Sequence, residues 1–319
     1  MQKIITIDCH YAGQPLVAAA YLIIEGDEAA FIDNNTTLAV PTLLEHLAAE
    51  GLAPENVKYL IITHVHLDHA GGTSALLKAC PNAVVVAHPR AARHVIDPER
   101  LVGSARAVYG AETFDKLYGT IEPVPAERVR EMEDGETLSF GQRTLTFLHT
   151  RGHANHHFCI VDSASHSIFT GDAFGLHYPA LQADGPFAFP STSPTDFDGP
   201  LARESVKRLV SLKPSCIYPT HFGPLDEIGQ RGEQLLAHLA FSEALMLQAE
   251  ASAHPDDELE SMIKQQLDAY FDQVLDDRGA SDRQLYRDLM AMDLELNAQG
   301  LAFVAAKRRR KAREAASAG

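Results

Sequence analysis

The sequence predicts an α/β protein, in which helices cover the faces of β-sheets. Short β-type runs recur through the first two-thirds of the chain, and segments with leucines at helical spacing lie between them. After about residue 230 the pattern changes to three long helical stretches without a convincing strand. We therefore predict an α/β domain over residues 1–230 and a helical C-terminal extension with a basic tail over residues 231–319.

The predicted elements follow from the spacing of apolar residues. Strands are predicted at residues 3–8, 17–24, 29–32, 57–63, 84–87, 144–149, 157–161, 167–170 and 215–218. Helices are predicted at residues 42–51, 74–80, 202–212, 233–253, 257–275 and 281–311. Gly26-Asp27 has the composition of a hairpin turn. In the last helix Leu285, Leu289, Met292 and Leu296 form one apolar face, which we expect to be packed.

The composition argues against several classes of function. The net charge is −16, and without the last 13 residues it would be −21, whereas binding of nucleic acid needs clustered Lys and Arg. The basic tail is either a solvated helix end or an anion-binding arm. Four scattered cysteines favour a reducing compartment, and the longest early apolar run, Leu16 to Ile24, is too short to span a bilayer. We expect a cytoplasmic protein with a small-molecule substrate and with neither nucleic acid nor a membrane as a partner.

The segment THVHLDH, residues 63–69, places three histidines and an aspartate directly after an apolar strand. His64 and His66 are separated by one residue, so both imidazoles point to the same side if the strand direction persists. Asp68 and His69 follow in a predicted loop. Imidazole and carboxylate ligands suit zinc, iron or manganese, so the pattern predicts a metal site here.

Three later strands also end near candidate ligands. His153 follows the strand at 144–149, Asp172 follows the strand at 167–170, and His221 follows the strand at 215–218. An α/β sheet collects its functional groups on loops just beyond its strands. With the cluster at 64–69, these residues make a set of seven candidate ligands.

In order along the chain, these motifs resemble those of the metallo-β-lactamase superfamily, with FIDNN around Asp33 as the first of five. The resemblance implies a four-layer αβ/βα sandwich and two divalent metal ions, with zinc as the expected metal and iron or manganese as alternatives. It also implies an assignment of ligands. His64, His66 and His153 would hold one ion, Asp68, His69 and His221 the second, and Asp172 would bridge them, while Asp33 and His157 would orient ligands through hydrogen bonds.

The resemblance also narrows the branch of the superfamily. Flavodiiron oxygen reductases carry glutamate at the position of His66, and the zinc β-lactamases lack the bridging aspartate that Asp172 would supply. The remaining hydrolase branches resemble glyoxalase II, lactonases and related thioesterases. The family often shows T-P-G-H-T-P-G-H around the third histidine, where this chain reads TRGHANHH, so that Arg151 and Asn155 depart from the pattern.

The predicted chemistry is hydrolysis. A pair of divalent metals supplies hydroxide at neutral pH and stabilises the oxyanion that forms on an acyl carbonyl. We therefore predict a metal-dependent hydrolase of a thioester, lactone or other ester, in which Asp68 also helps to move a proton. The alternative is a non-hydrolytic di-iron protein that binds oxygen or a signalling ligand, because the ligand types suit both. The acidic body argues against hydrolysis of phosphodiesters.

Two regions are candidates for substrate contacts. The segment 174–200 is too long for a simple connection, so it is either a substrate loop or a loop packed on its own aromatics. The helical extension would either cap the site, as in glyoxalase II, or form a homodimer. The candidate residues are His177, Tyr178, Phe187 and Phe189 in the loop and Asp293 and Asn297 on the last helix.

Overall fold

The computed structural model describes residues 2–192 and 196–317. It divides into two compact units. The first comprises the chain up to His149, His156–Gly171 and Lys213–Asp226, and the second comprises Thr150–Asn155, Asp172–Leu212 and the chain from Glu227 onward. The second unit thus includes two segments that precede residue 230, and the predicted division into two consecutive domains stays a prediction.

A six-stranded sheet of the first unit has its strands in sequence order. Its strands are β1 (Gln2–Asp8), β2 (Ala19–Glu25), β3 (Glu28–Ile32), β4 (Val57–Ile61), β5 (Val84–Ala87) and β6 (Val129–Glu131). The first three strands pair antiparallel, and β3 to β6 pair parallel. Glu25 pairs with Glu28, which confirms the predicted hairpin turn at Gly26-Asp27.

A five-stranded sheet of the same unit has the order β11-β10-β9-β8-β7. Its strands are β7 (Thr137–Phe140), β8 (Arg143–His149), β9 (Phe158–Asp162), β10 (Ser167–Gly171) and β11 (Cys216–Pro219). Only β10 and β11 pair parallel among these described strands. The sequence prediction missed β6 and β7, which are short and lie at sheet edges.

The helices of the first unit connect the strands of the six-stranded sheet. They are α1 (Val40–Ala49), α2 (Leu67–Ala70), α3 (Thr73–Ala79), α4 (Pro89–Ile96), α5 (Glu99–Tyr109) and α6 (Ala111–Tyr118). Strand β2 shows how the core is built. Leu22 and Ile24 pack in the core that includes residues of α1, α3 and α4, while Tyr21 and Ile23 pack in the core between the two sheets. Burial on both faces explains why this strand reads as an uninterrupted apolar run.

Four long helices dominate the second unit. They are α7 (Gly199–Ser211), α8 (Ile228–Ala251), α9 (Leu259–Asp277) and α10 (Arg283–Ser317). The predicted helical extension is therefore confirmed as helical, with bounds that differ by a few residues. No described helix has a stretch both long and apolar enough to cross a membrane.

The predicted packing of one apolar face of α10 is wrong for Leu285 and Met292, whereas Leu289 and Leu296 of that face are half-buried. Leu285 is 43% exposed and Met292 is 63% exposed, whereas Met290 and Asn297 on another face are buried. The physical reason is hydrogen bonding, since the buried Asn297 accepts from the backbone N–H of Thr192 at 2.6 Å and donates to Pro190 O at 2.9 Å. Bonding to loop backbone makes a polar residue suitable for an inward face. The predicted homodimer stays a prediction.

The basic tail is partly used inside the second unit. Arg309 donates to the backbone carbonyls of Glu250, Ser252 and His254 at 2.9, 2.7 and 2.7 Å. These carbonyls lie at and just after the carboxyl end of α8, where backbone acceptors lack partners within the helix. This arginine therefore caps α8.

Two buried histidines of the second unit make stability depend on pH. Burial lowers the pKa of His177 to about 3 and the pKa of His238 to about 4. An unfolded chain binds protons at histidines near pH 6.5, so the stability present above about pH 6.5 is lost as the pH falls towards 4. We expect His238→Gln to reduce the slope of unfolding free energy against pH by about 1.4 kcal/mol per pH unit in this range. Urea unfolding of metal-free protein measures the slope, and an unchanged slope would contradict the burial argument.

Candidate metal centre

The first unit gathers five of the predicted ligands beyond two strand ends. Strand β4 ends at Ile61, and His64 and His66 lie between it and the short helix α2, which begins at Leu67. The rings of His64 and His66 are 4.4 Å apart between centroids, and the rings of His64 and His69 are 4.0 Å apart. The two histidines separated by one residue therefore lie side by side, although the strand itself ends before them.

Asp68, His69 and His221 form a compact group within this unit. The Nε2 atoms of His69 and His221 lie 3.6 and 3.4 Å from the same carboxylate oxygen of Asp68, Oδ2. One ligand atom from each residue lies within 4.8 Å of the others. Both imidazoles are buried, while the Asp68 side chain is 24% exposed. The exposed carboxylate gives the group an open side.

The outer nitrogens of these two histidines are anchored. His69 Nδ1 lies 2.8 Å from Asp33 Oδ2, and His221 Nδ1 lies 2.8 Å from Val17 O. Each acceptor favours the tautomer with hydrogen on Nδ1, so that Nε2 keeps its lone pair towards Asp68. Histidines that bind metals commonly donate their other ring N–H to a carboxylate or a backbone carbonyl. The donor set therefore fits a divalent cation.

Asp33 holds this group in place through hydrogen bonds. Its side chain is 1% exposed, and it accepts hydrogen bonds from the Thr63 backbone N–H at 2.8 Å, from Thr63 Oγ1 at 3.0 Å and from Thr220 Oγ1 at 2.8 Å. With the bond to His69, one carboxylate binds the segment after β4, helix α2 and the segment after β11. The predicted orienting role of Asp33 stays a prediction, to which these contacts give a structural basis.

His157 lies next to the cluster, and its predicted orienting role stays a prediction. It is fully buried, and its ring centroid is 5.0 Å from that of His64. Gly171 packs closely against the His157 ring. A Cβ atom at this position would lie 2.6 Å from His157 Nε2 and 2.8 Å from Thr63 Oγ1. The φ of +48° also favours glycine at this position.

The second unit contains the other two predicted ligands, His153 and Asp172. Both are buried, and His153 Nε2 lies 3.4 Å from Asp172 Oδ2. His153 Nδ1 lies 3.1 Å from the carbonyl oxygen of Ser191. The arrangement repeats that of His69 and His221, with Nδ1 on an acceptor and Nε2 towards a carboxylate.

The predicted substrate-contact residues of the 174–200 loop have buried side chains. Residues 193–195 of this loop lie outside the described residues. His177 is fully buried, with ring nitrogens 2.7 Å from Phe174 O and 3.1 Å from Phe187 O. Phe187 and Phe189 pack against Phe271 of α9. These residues brace the loop, which favours the alternative of a loop packed on its own aromatics, and their role as substrate contacts stays a prediction.

Tyr178, Asp293 and Asn297 join the same loop to α10. Tyr178 OH donates to Asp293 at 3.1 Å, and Asn297 bonds both Thr192 and Pro190. The three residues stabilise the loop, and their predicted substrate contacts are likewise untested.

Sequence reasoning missed Thr63, Thr220 and Val17. The two threonines donate to Asp33, and the carbonyl of Val17 accepts from His221. A signal for the threonines was present, because Thr63-His64 and Thr220-His221 are the same dipeptide at two strand ends. No side-chain pattern marks Val17, since it acts through its backbone.

Asp33→Asn tests the anchoring of His69. Asparagine tolerates the left-handed backbone of this position, where φ is +54°, but it removes the charged acceptor. We expect metal affinity to fall by about 10- to 100-fold. Competition with a chromophoric chelator measures it, and Asp27→Asn in the exposed β2–β3 turn is the matched control. Equal affinity in both variants would show that Asp33 has no such role.

Comparison with known proteins finds relatives that are named for different activities. The chain is 28% identical over 173 residues to the metallo-beta-lactamase fold-containing protein ST1585 of Sulfurisphaera tokodaii, covering 53% of this chain and 62% of that protein. It is 29% identical over 154 residues to an atrochrysone carboxyl ACP thioesterase of Aspergillus chevalieri, covering 48% and 38%. It is 32% identical over 103 residues to rubredoxin-oxygen oxidoreductase of Megalodesulfovibrio gigas, covering 32% and 20%. The match thus spans less than two thirds of each of these relatives.

The solved structure of ST1585 from Sulfolobus tokodaii resembles this chain with a TM-score of 0.65 at 21% identity, covering 94% of this chain and 98% of that one. This likeness confirms the predicted fold class. Residues 13–221 match the family model of the metallo-beta-lactamase superfamily, a range that includes Asp33 and all seven predicted ligands. The chain therefore belongs to the metallo-beta-lactamase superfamily.

Proposed function

We propose that the protein is a dinuclear-metal hydrolase that cleaves an activated acyl bond, with a thioester as the preferred class and lactones or other esters as further substrates. The observation that carries the proposal is the anchored donor set, in which His69 and His221 hold Nε2 towards Asp68 while their Nδ1 atoms bind fixed acceptors. Such anchoring is characteristic of metal ligands. Similarity to an ACP thioesterase supports the choice of thioester.

The proposal keeps the ligand assignment that the superfamily motifs imply. His64, His66 and His153 would hold one ion, Asp68, His69 and His221 the other, and Asp172 both. No cysteine belongs to the set, and imidazole with carboxylate suits zinc, iron or manganese. We propose zinc as the metal.

Divalent metals at such a site lower the pKa of water and polarise a carbonyl oxygen. In the reaction, the oxygen of water bonds to the acyl carbon and the C–S or C–O bond breaks. The thiol or alcohol leaves with one proton, and the acyl part leaves as an acid. Asp68 is suited to holding a proton in transit, because its carboxylate is partly exposed and lies beside two imidazoles.

A non-hydrolytic di-iron protein is the second candidate. The similarity to rubredoxin-oxygen oxidoreductase favours it. His66 argues against it, since flavodiiron oxygen reductases carry glutamate at this position. The ligand types suit both candidates, so the metal and its reactivity must decide between them.

Metal analysis combined with a hydrolysis panel tests the proposal. We expect about two metal ions per chain and turnover of thioesters or lactones that is abolished by chelation and by Asp172→Ala. Asp27→Ala, which changes an exposed carboxylate in a turn, is the matched control and should keep full activity. Two iron ions, no turnover of any thioester, lactone or phosphodiester, and a spectrum that responds to oxygen would instead establish the di-iron candidate.

A further inference from the structure

Arg151 lines a small cleft of the second unit together with two predicted ligands. The cleft is bordered by Arg151, His153, Asp172 and Ser191, and Leu235 and Leu239 of α8 add apolar surface. Arg151 itself is exposed. A group bound at this arginine would therefore share the cleft with His153 and Asp172.

The backbone that carries Arg151 is fixed. Arg151 O accepts from Ser205 Oγ at 2.6 Å, and Gly152 O accepts from the backbone N–H of Asp198 at 2.8 Å. Gly152 has a φ of +122°, and a Cβ atom there would lie 2.2 Å from Ala202 N, so the segment packs directly on the start of α7. The backbone from which the Arg151 side chain projects is thus held in place.

The guanidinium is held by an uncharged partner. Arg151 Nη2 and Nε donate to Asn155 Oδ1 at 3.0 and 3.4 Å. Within the described part of the chain, Arg151 forms no ion pair with a carboxylate. Among the described residues, no carboxylate is therefore hydrogen-bonded to its guanidinium as a direct counter-ion. Arg151 and Asn155 both stand where the superfamily pattern has proline, and they are hydrogen-bonded to each other.

We propose that Arg151 is a specificity-determining residue that binds an anionic group of the substrate, in an inference that rests on the proposed hydrolase function. The group is a carboxylate of the acyl part or a phosphate of the leaving thiol. Both chemistries fit, because the planar guanidinium offers parallel N–H donors that match carboxylate and phosphate oxygens. The chain as a whole is acidic, with a net charge of −16. A cation that lines the same cleft as His153 and Asp172 is therefore a local exception to the overall charge.

Matched thioesters separate the two sources of negative charge. Glutaryl- and pentanoyl-N-acetylcysteamine differ in the acyl carboxylate, while pentanoyl-coenzyme A and pentanoyl-N-acetylcysteamine differ in the phosphates of the leaving group. Each is assayed with the metal-loaded wild type, with Arg151→Gln and with Arg151→Lys. Arg100→Gln, at an exposed position of α5, is the control for loss of a surface charge.

We expect Arg151→Gln to lower kcat/KM by about 10- to 100-fold on the preferred anionic thioester, which corresponds to loss of a charged hydrogen bond. The neutral thioester should change by less than about twofold. Arg151→Lys should recover part of the loss, because it restores a charge but not the planar fork. Equal losses on charged and neutral thioesters, or no loss on any, would overturn the proposal.

A binding measurement keeps the proposal separate from the proposed function. If the wild type cleaves no thioester, lactone or other ester, the hydrolase function fails, and isothermal titration calorimetry with glutarate and with inorganic phosphate then decides the role of Arg151. Binding that weakens in Arg151→Gln but not in Arg100→Gln would support an anion site. Binding that is absent, or equal in both variants, would overturn it.

Discussion

The buried carboxylate of Asp33 is the constraint on which the first-unit ligand cluster depends. A buried carboxylate costs several kcal/mol unless hydrogen bonds satisfy its oxygens. Here the donors are Thr63, His69 and Thr220, which belong to three separate segments. Satisfying the charge therefore fixes the positions of these segments relative to one another, and it places His69 and the neighbours His64 and His221 before any metal is considered.

Strand pairing also positions the ligand-bearing segments of the first unit. Strands β3 and β4 are parallel and in register at Ile32 and Ile61, so their carboxyl ends lie together and Asp33 N bonds Ile61 O at 2.8 Å. The end of β11 is tied to the six-stranded sheet by the bond from Ala19 N to Thr220 O at 2.8 Å. Ligands that project from ends of paired strands are held more firmly than ligands on long loops. The same unit thus provides both the donors and their rigid support.

Much of this centre could be predicted from the sequence, because His64, His66, Asp68 and His69 are dense in the chain and the other candidates follow strands. The supporting contacts could not be predicted equally well. Val17 contributes only a carbonyl oxygen, and no residue type reports that. In α10 the hydrophobic pattern gave the wrong buried face, since the bonds of Asn297 to loop backbone outweighed the apolar character of Leu285 and Met292. The 174–200 loop was uncertain for a related reason, as its aromatic residues suit a pocket and a packed interior alike.

X-ray absorption spectroscopy on the zinc-loaded protein tests the central claim most directly, because it reports the ligands of the metal without requiring a substrate. We predict nitrogen and oxygen neighbours at about 2.0–2.2 Å with the multiple scattering of imidazole, and a metal–metal distance of about 3.5–4 Å. A sulfur shell at about 2.3 Å would contradict the histidine–aspartate ligand set. A spectrum without a metal–metal component at full loading would contradict the dinuclear centre.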